Sequence, residues 1–212
     1  MLRMVLVALA SLLIAARAEA LPPDINFTVY RDGEEIGHHR VSFAEHDGQI
    51  VADTDIRLVV TFASVPVFRY EHRSREIWKD GALQSIQSAT HDDGDDLRLA
   101  AERTPEGLKI DGSRFVGVAD GAPTSYWNAG FLTARHFLDT QNGRVFEGRI
   151  ERIGTEQVTA AGRTIEATRY TFSEALVMDL WYDAQGNWVK TSFTARGSVI
   201  DYVLQPPAGV SQ

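Results

Sequence analysis

Cysteine is absent from all 212 residues of the sequence. This absence excludes disulfide bonds, thiolate metal sites and the acylated cysteine of a lipoprotein. A folded domain in this chain is therefore held by its hydrophobic core. The composition, 44% hydrophobic and 24% charged residues, is that of an ordinary globular protein rather than a disordered or fibrous one.

An excess of basic residues is also missing. The chain has 21 Lys and Arg residues against 29 Asp and Glu, for a net charge of -8. Nucleic acids and other polyanions are bound by clustered Lys and Arg side chains. We therefore predict that the protein has no nucleic-acid partner.

Motifs that carry catalysis are missing as well. The sequence has no Gly-x-Ser-x-Gly nucleophile elbow and no glycine-rich phosphate loop between a strand and a helix. The acidic turn Asp92–Asp96 lacks the spacing of a twelve-residue calcium loop. Glu71 and Glu76 are an odd number of residues apart, so strand alternation places them on opposite faces. No catalytic residue and no cofactor is predicted.

The histidines do not form a metal-binding pattern. Adjacent His38 and His39 point to opposite faces of a strand and cannot both bind one ion without a bulge. We predict no metal site and interpret the histidines as surface residues on strands and turns. The six are His38, His39, His46, His72, His91 and His136.

The N-terminus predicts export. Arg3 supplies a positive charge, Met4–Ala16 is an apolar run too short to span a bilayer comfortably, and Ala18-Glu19-Ala20 has the small-x-small form of a cleavage site. We predict a signal peptide over residues 1–20 and a single β-rich domain over residues 21–212. The mature protein is then periplasmic or secreted and does not span a membrane.

Most of the mature chain alternates with the period of two that marks β-strands. Asp-Gly pairs and similar turn signals recur about every ten residues, which is typical of antiparallel barrels and sandwiches. In Val67–Lys79, alternation places Phe68 and Trp78 on one face and charged residues on the other. That charged face is expected to be solvated.

One stretch, Thr124–Asp139, follows helical periodicity instead. Trp127, Phe131, Ala134 and Leu138 fall on one stripe at 100° per residue. We predict a short helix here, with Thr124 or Ser125 as its N-cap. The predicted fold is all-β: a curled antiparallel sheet or incomplete β-barrel with one short helix between two meanders.

Three segments resemble a family of bacterial exported proteins known as a domain of unknown function: Tyr30–Gly37, Ser125–Asn128 and Trp181–Lys190. The resemblance covers nearly the whole mature chain. More loosely, the order of hairpins is similar to that of lipoprotein carriers of the LolA and LolB type. That likeness implies a half-barrel, similar to a lipocalin or to LolA, that wraps over a short helix. Its apolar concave face would hold acyl chains.

The sequence has more aromatic residues than a minimal core needs. They either pack a β-core or line an apolar cleft, as in barrels that hold a small ligand. On the second interpretation, Tyr126 and Asn128 are the polar groups at the mouth. The candidate ligand-binding residues are Phe62, Phe68, Tyr70, Tyr126, Trp127, Asn128, Phe131 and Trp181.

These patterns favour a non-enzymatic protein that binds or carries an apolar molecule, such as a lipid or an acyl chain. Two alternatives stay open: a structural or interaction module of the cell envelope, whose partner is another envelope protein, and a hydrolase. An apolar cavity would favour the first, a filled interior the second, and a pocket that joins His136 or His72 to a nucleophile and a carboxylate the third.

Overall fold

The computed structural model describes residues 21–174 and 176–207. The predicted signal peptide, residues 1–20, lies outside this range. Within the described residues there are sixteen strands and one short 3-10 helix. No helix in these two segments is long and apolar enough to cross a membrane.

Thirteen strands form one large sheet. They are β1 (Ile25–Arg31), β2 (Glu34–His46), β3 (Gln49–Phe62), β4 (Val65–Lys79), β5 (Ala82–Asp92), β6 (Asp95–Thr104), β7 (Gly107–Gly112), β8 (Val116–Ala119), β12 (Arg149–Ala160), β13 (Arg163–Ser173), β14 (Val177–Tyr182), β15 (Trp188–Ala195) and β16 (Ser198–Leu204). Their order is β12-β13-β14-β15-β16-β1-β2-β3-β4-β5-β6-β7-β8, and every neighbouring pair is antiparallel.

The sheet consists of two meanders joined at the first strand. β1 pairs with β2 on one side and with β16 on the other, so the beginning and end of the domain meet in the middle of the sheet. The edge strands β8 and β12 are not paired with each other in the described part of the chain. The fold is therefore the curled, incomplete barrel that the alternation predicts.

The hairpin turns follow from the Asp-Gly pairs. Asp32, Asp47, Asp80 and Asp93 all have φ near 50°, and each is followed by a glycine with positive φ. Turns with two positive φ angles match the right-handed twist of the strands that they connect. The predicted turn positions are thus confirmed.

The predicted short helix in Thr124–Asp139 is a 3-10 helix of five residues, much shorter than the stretch with helical periodicity. The chain forms a short strand β9 (Ala122–Pro123), a 3-10 helix (Ala129–Thr133) and a strand β10 (His136–Leu138). β10 pairs in parallel with β9 and antiparallel with β11 (Val145–Glu147), which makes a second, three-stranded sheet.

Local geometry explains why the helix is so short. Tyr126 has a φ of 63°, which a continuous right-handed helix does not allow. The N-cap is Asn128 rather than Thr124 or Ser125, and its side chain accepts a hydrogen bond from the backbone nitrogen of Gly130. Isolated helices shorter than about 12 residues are marginal, and here strand pairing satisfies the following backbone instead.

The apolar stripe within this stretch is nevertheless buried. Trp127, Phe131 and Leu138 expose 8%, 3% and 0% of their surfaces. They belong to the main core cluster, which lies between the inner face of the large sheet and the segment Ala122–Glu147. The helical periodicity therefore reflects which residues of an irregular segment contact the core. We call Ala122–Glu147 the central segment.

Candidate functional site

A cavity of about 540 Å³ lies between the inner face of the large sheet and the central segment. The central segment contributes Thr124, Ser125, Tyr126, Thr140 and Gln141 to its wall. The apolar part of the wall is formed by Ile36, Ile56, Leu58, Val60, Val67, Phe68, Leu176, Met178, Trp188, Phe193 and Ile200. The volume falls within the range of roughly 300–1,000 Å³ that is usual for small-molecule sites.

Strand β4 shows which end of the cavity is open. Its cavity-lining residues are exposed at the start of the strand and buried further along: Val67 is 54% exposed, Tyr70 is half-buried, and His72 and Ser74 are 3% and 6% exposed. The mouth therefore lies near Val67 and the turn between β3 and β4. The inner end lies near Ser74.

Charged side chains line the cavity only toward its mouth. Arg31 ends β1, Asp92 ends β5, and Arg196 lies in the turn between β15 and β16. The Arg196 guanidinium lies 5.4 Å from the centre of the Phe68 ring. Arginine over an aromatic face is a favourable contact, and here it places a cation beside the apolar entrance.

The inner end of the cavity is polar but contains no charged side chain from the described residues. His39 on β2, Thr54 on β3, and His72 and Ser74 on β4 all line it and are all buried. Thr54 and Ser74 are directly opposite each other across the β3–β4 ladder. His72 Nδ1 lies 2.8 Å from Thr90 Oγ1 on β5.

The two histidines are neutral at physiological pH. Burial lowers the pKa of His39 from its ordinary 6.5 to about 3, and the nearby His72 and His38 act in the same direction. Burial also lowers the pKa of His72 to about 4. Removal from water disfavours the charged imidazolium, so each ring presents one donor and one acceptor.

Below the inner end, a buried carboxyl group joins the sheet to the central segment. Glu76 is 0% exposed, and its Oε2 accepts hydrogen bonds from the indole nitrogens of Trp78, at 2.8 Å, and Trp127, at 3.0 Å. Burial raises the pKa of Glu76. Because Trp127 belongs to the central segment and Trp78 to β4, this carboxyl group holds the central segment against the sheet beyond the inner end of the cavity.

Two further hydrogen bonds hold the same segment. Ser88 Oγ on β5 donates to the carbonyl oxygen of Thr140 at 2.5 Å, and the Tyr182 hydroxyl on β14 donates to that of Tyr126 at 2.7 Å. Both meanders therefore anchor the central segment. The wall of the cavity on the side of the central segment is therefore tied to the sheet at two points.

Family and structural comparisons agree with this architecture. The profile of the domain of unknown function DUF6134 matches residues 27–205. The chain belongs to the DUF6134 family. A comparison with curated protein sequences found no match. The predicted membership of a family of unknown function is thus confirmed.

A crystal structure with a similar fold is that of a β-barrel-like protein of the domain of unknown function DUF1849 from Brucella abortus. The TM-score is 0.59 at 7% sequence identity, and the superposition covers 86% of the DUF6134 chain and 95% of the Brucella chain. At this identity the likeness shows the fold alone. The looser resemblance to LolA and LolB is not supported by these comparisons and stays a prediction.

The eight residues predicted to bind a ligand do not lie together. Phe68, Tyr70 and Tyr126 line the cavity. Asn128, predicted at the mouth, caps the 3-10 helix instead. Phe62 is 76% exposed in the turn region between β3 and β4.

The other three are core residues. Trp127 lies below the cavity floor, and the Phe131 ring packs against Phe137 and Phe172 at centroid distances of 4.9 and 5.2 Å. Trp181 belongs to a second apolar cluster with Val158, Ala160, Ala167 and Val189, and its indole nitrogen donates to Glu156.

The inner polar residues were missed by the sequence reasoning. His39 and His72 are buried, so their interpretation as surface histidines is wrong. A signal was present for His72 and Ser74, because alternation placed both on the same face of β4 as Trp78. The prediction that His38 and His39 face opposite sides is confirmed: His38 Nε2 lies 3.0 Å from Asp55 Oδ2 on the outer face.

The residues of the cavity offer little support for a metal site or for a hydrolase site. Among the described residues no group of three or more His, Cys, Asp or Glu side chains is placed to hold a metal ion. His136 is exposed and lies 3.5 Å from Glu147, away from the cavity. Ser74 Oγ has no hydrogen-bond partner in the described chain, whereas an activated serine requires a base in hydrogen-bonding contact.

Proposed function

We propose that this DUF6134 protein binds an apolar molecule, such as a lipid or an acyl chain, inside the cavity and carries it in the periplasm. The observation that supports the proposal is the cavity of about 540 Å³, open at its mouth, with largely aliphatic and aromatic walls. Empty apolar space of this size gives up the packing contacts that a filled core would make. A bound apolar molecule would restore them.

The proposed location rests on the N-terminal sequence alone. In an aqueous compartment, an apolar molecule is more stable inside such a cavity than in water, because burial removes its apolar surface from the solvent. The exposed mouth at Val67, beside the Phe68 ring, offers an entrance with an apolar rim.

Native mass spectrometry tests the proposal. The mature protein is purified from a bacterial periplasm, its mass is measured under non-denaturing conditions, and any released molecule is extracted and identified. We expect an adduct of lipid-like mass. The same preparation also tests localisation, because cleavage of the leader after Ala20 gives a mature chain that begins at Leu21.

Two neighbouring residues of β3 provide a matched pair of variants. Leu58 lines the cavity, whereas Val59 is not part of the wall. Leu58→Trp should fill the space and abolish the adduct, and Val59→Trp should retain it. Loss of the adduct in both variants, or its absence from wild-type protein, would refute binding in the cavity.

The interaction module is the second candidate function, and exposed apolar side chains favour it. Phe62, Val65 and Val67 around the β3–β4 turn are 76%, 60% and 54% exposed, and Val116 and Val118 on edge strand β8 are 78% and 52% exposed. Apolar patches of this kind mark protein or membrane contacts. A clean apo mass together with crosslinking of the β3–β4 turn to an envelope protein would support this alternative.

A further inference from the structure

The inner wall of the cavity carries buried polar atoms without partners. Both ring nitrogens of His39, Thr54 Oγ1 and Ser74 Oγ have no hydrogen-bond partner anywhere in residues 21–174 and 176–207. All three residues line the cavity and are more than nine-tenths buried. Buried polar atoms in native proteins are almost always hydrogen-bonded. Four such atoms lie in residues of one wall, where a small rotation of the side chains that cover them would let a group in the cavity satisfy them.

These atoms lie close together. β2, β3 and β4 are consecutive in the sheet; Thr54 is opposite Ser74, and His39 is opposite Ile56, two residues from Thr54 on the same face. Diagonal neighbours of this kind are about 7–8 Å or less apart. A small polar group beside Thr54 can therefore approach Ser74 on one side or His39 on the other.

The wall between this polar patch and the mouth is apolar. Leu58 and Val60 on β3 are opposite Tyr70 and Phe68 on β4, and all four line the cavity. The cavity is thus polar at its inner end, apolar along its length, and charged only at its mouth. An amphipathic molecule that enters with its polar end first matches this order.

The polar patch selects against a charged head group. Its two hydroxyls and its neutral imidazole each offer one donor and at least one acceptor. The charged residues in the wall, Arg31, Asp92 and Arg196, are at the mouth and are not placed to neutralise an ion at the inner end. A buried charge without a partner is strongly disfavoured.

We propose, on the basis of the binding function above, that the cavity takes a hydroxyl-bearing amphipathic molecule head first. Its uncharged hydroxyl group hydrogen-bonds at the Thr54–Ser74 pair, beside His39, and its apolar body packs along Leu58, Val60 and Phe68. A hydroxyl fits because it both donates and accepts, as the patch requires.

A series of ten-carbon probes that differ only in the head group tests this inference. 1-Decanol, kept below its aqueous solubility limit, and decanoate and decyltrimethylammonium, each kept below its critical micelle concentration, are titrated at pH 7.5 into delipidated full-length mature protein. Binding is followed by tryptophan fluorescence, to which Trp188 in the cavity wall contributes. We expect decanol to bind at least about tenfold more tightly than either charged probe.

Variants of the patch identify the group that is recognised. Thr54→Val combined with Ser74→Ala removes both hydroxyls with little change of shape. Because it removes unpartnered buried atoms, the variant is expected to fold. It should bind decanol about tenfold more weakly. Ser42→Ala, on the exposed face of β2, is the matched control and should bind decanol like the wild type.

The outcomes separate the two proposals. Equal or tighter binding of a charged probe, or unchanged decanol affinity in the double variant, would overturn head-group recognition and leave apolar binding standing. If no probe binds to the wild type and native mass spectrometry shows only the apo mass, the proposed function itself fails.

Discussion

Replacement of Trp127 by alanine tests how the central segment is held against the sheet. Trp127 is 8% exposed, and its ring packs in T-shaped contacts with Phe43 and Trp78 at centroid distances of 5.0 and 5.2 Å. Its indole nitrogen donates to the buried carboxyl group of Glu76. The substitution therefore removes core volume and one of the two indole donors to that group.

Both losses can be given a magnitude. Truncation of a buried tryptophan to alanine costs about 3–5 kcal/mol in free energy of unfolding. Loss of one hydrogen bond to Glu76 adds about 1 kcal/mol, because Trp78 still donates at 2.8 Å. We expect a total of about 4–6 kcal/mol. For a domain of this size, that lowers the melting temperature by roughly 10–20 °C.

Urea unfolding followed by far-ultraviolet circular dichroism measures this loss, with differential scanning calorimetry as a second readout. Trp127→Phe keeps an aromatic ring but lacks the donor, so it should lose about 1–2 kcal/mol. Phe62→Ala is the exposed control and should change stability by less than about 0.5 kcal/mol. A Trp127→Ala protein that melts within about 3 °C of wild type would refute the core placement of this residue.

Two further predictions concern pH and backbone space. The unfolded chain binds a proton at His39 below about pH 6.5, whereas the folded chain does so only near the lowered pKa of about 3. Acidification therefore favours the unfolded chain, and the contribution of His39 to the free energy of unfolding decreases by about 2 kcal/mol from pH 7.5 to pH 5. Glu76, whose pKa is raised, acts in the opposite sense, so the test is a difference: in urea titrations, His39→Gln should lose about 2 kcal/mol less than wild type over that interval, and equal losses would contradict the assignment. At Gly37, with φ +147°, a Cβ atom would lie 1.9 Å from the carbonyl oxygen of Arg57, whereas Gly154, with φ +159°, has open space. Gly37→Ala should therefore lose about 3 kcal/mol of unfolding free energy, Gly154→Ala clearly less, and similar melting temperatures for the two variants would show that the close approach is not real.

Strand β4 shows how far alternation reaches. The predicted inner face is confirmed, because His72, Ser74, Glu76 and Trp78 are all buried. On the outer face, Arg75 makes two hydrogen bonds to Asp53, at 2.7 and 2.8 Å. Period-two alternation is a property of the strand backbone itself, so it is visible without knowledge of the partners.

In the central segment, periodicity predicted the buried residues but not the secondary structure. The spacing of Trp127, Phe131 and Leu138 was that of a helix, and all three are buried, yet a 3-10 helix covers only Ala129–Thr133. The backbone there is satisfied by pairing with β11, which lies several residues away along the chain. Tertiary context overrode a weak local preference.

The candidate site was only partly visible in the sequence. Phe68, Tyr70 and Tyr126 were predicted and line the cavity. His39 was not predicted to line the cavity. Both faces of β2 carry polar residues, so the sequence does not show which face is buried. Burial of that face depends on the curl of the sheet and on the floor supplied by the central segment, which contacts β4 across 51 residues of sequence through Glu76 and Trp127.

The sequence by itself determined the strands of the large sheet, the positions of the Asp-Gly turns and the two-meander organisation, because these depend on neighbouring residues and on side-chain alternation. The tertiary structure alone decided that β1 pairs with β16, a junction reinforced by the hydrogen bond from Val199 to Asp32 across 167 residues. It also decided that a cavity remains and which polar residues line it. Those features arise from packing between distant segments, which local periodicity does not encode.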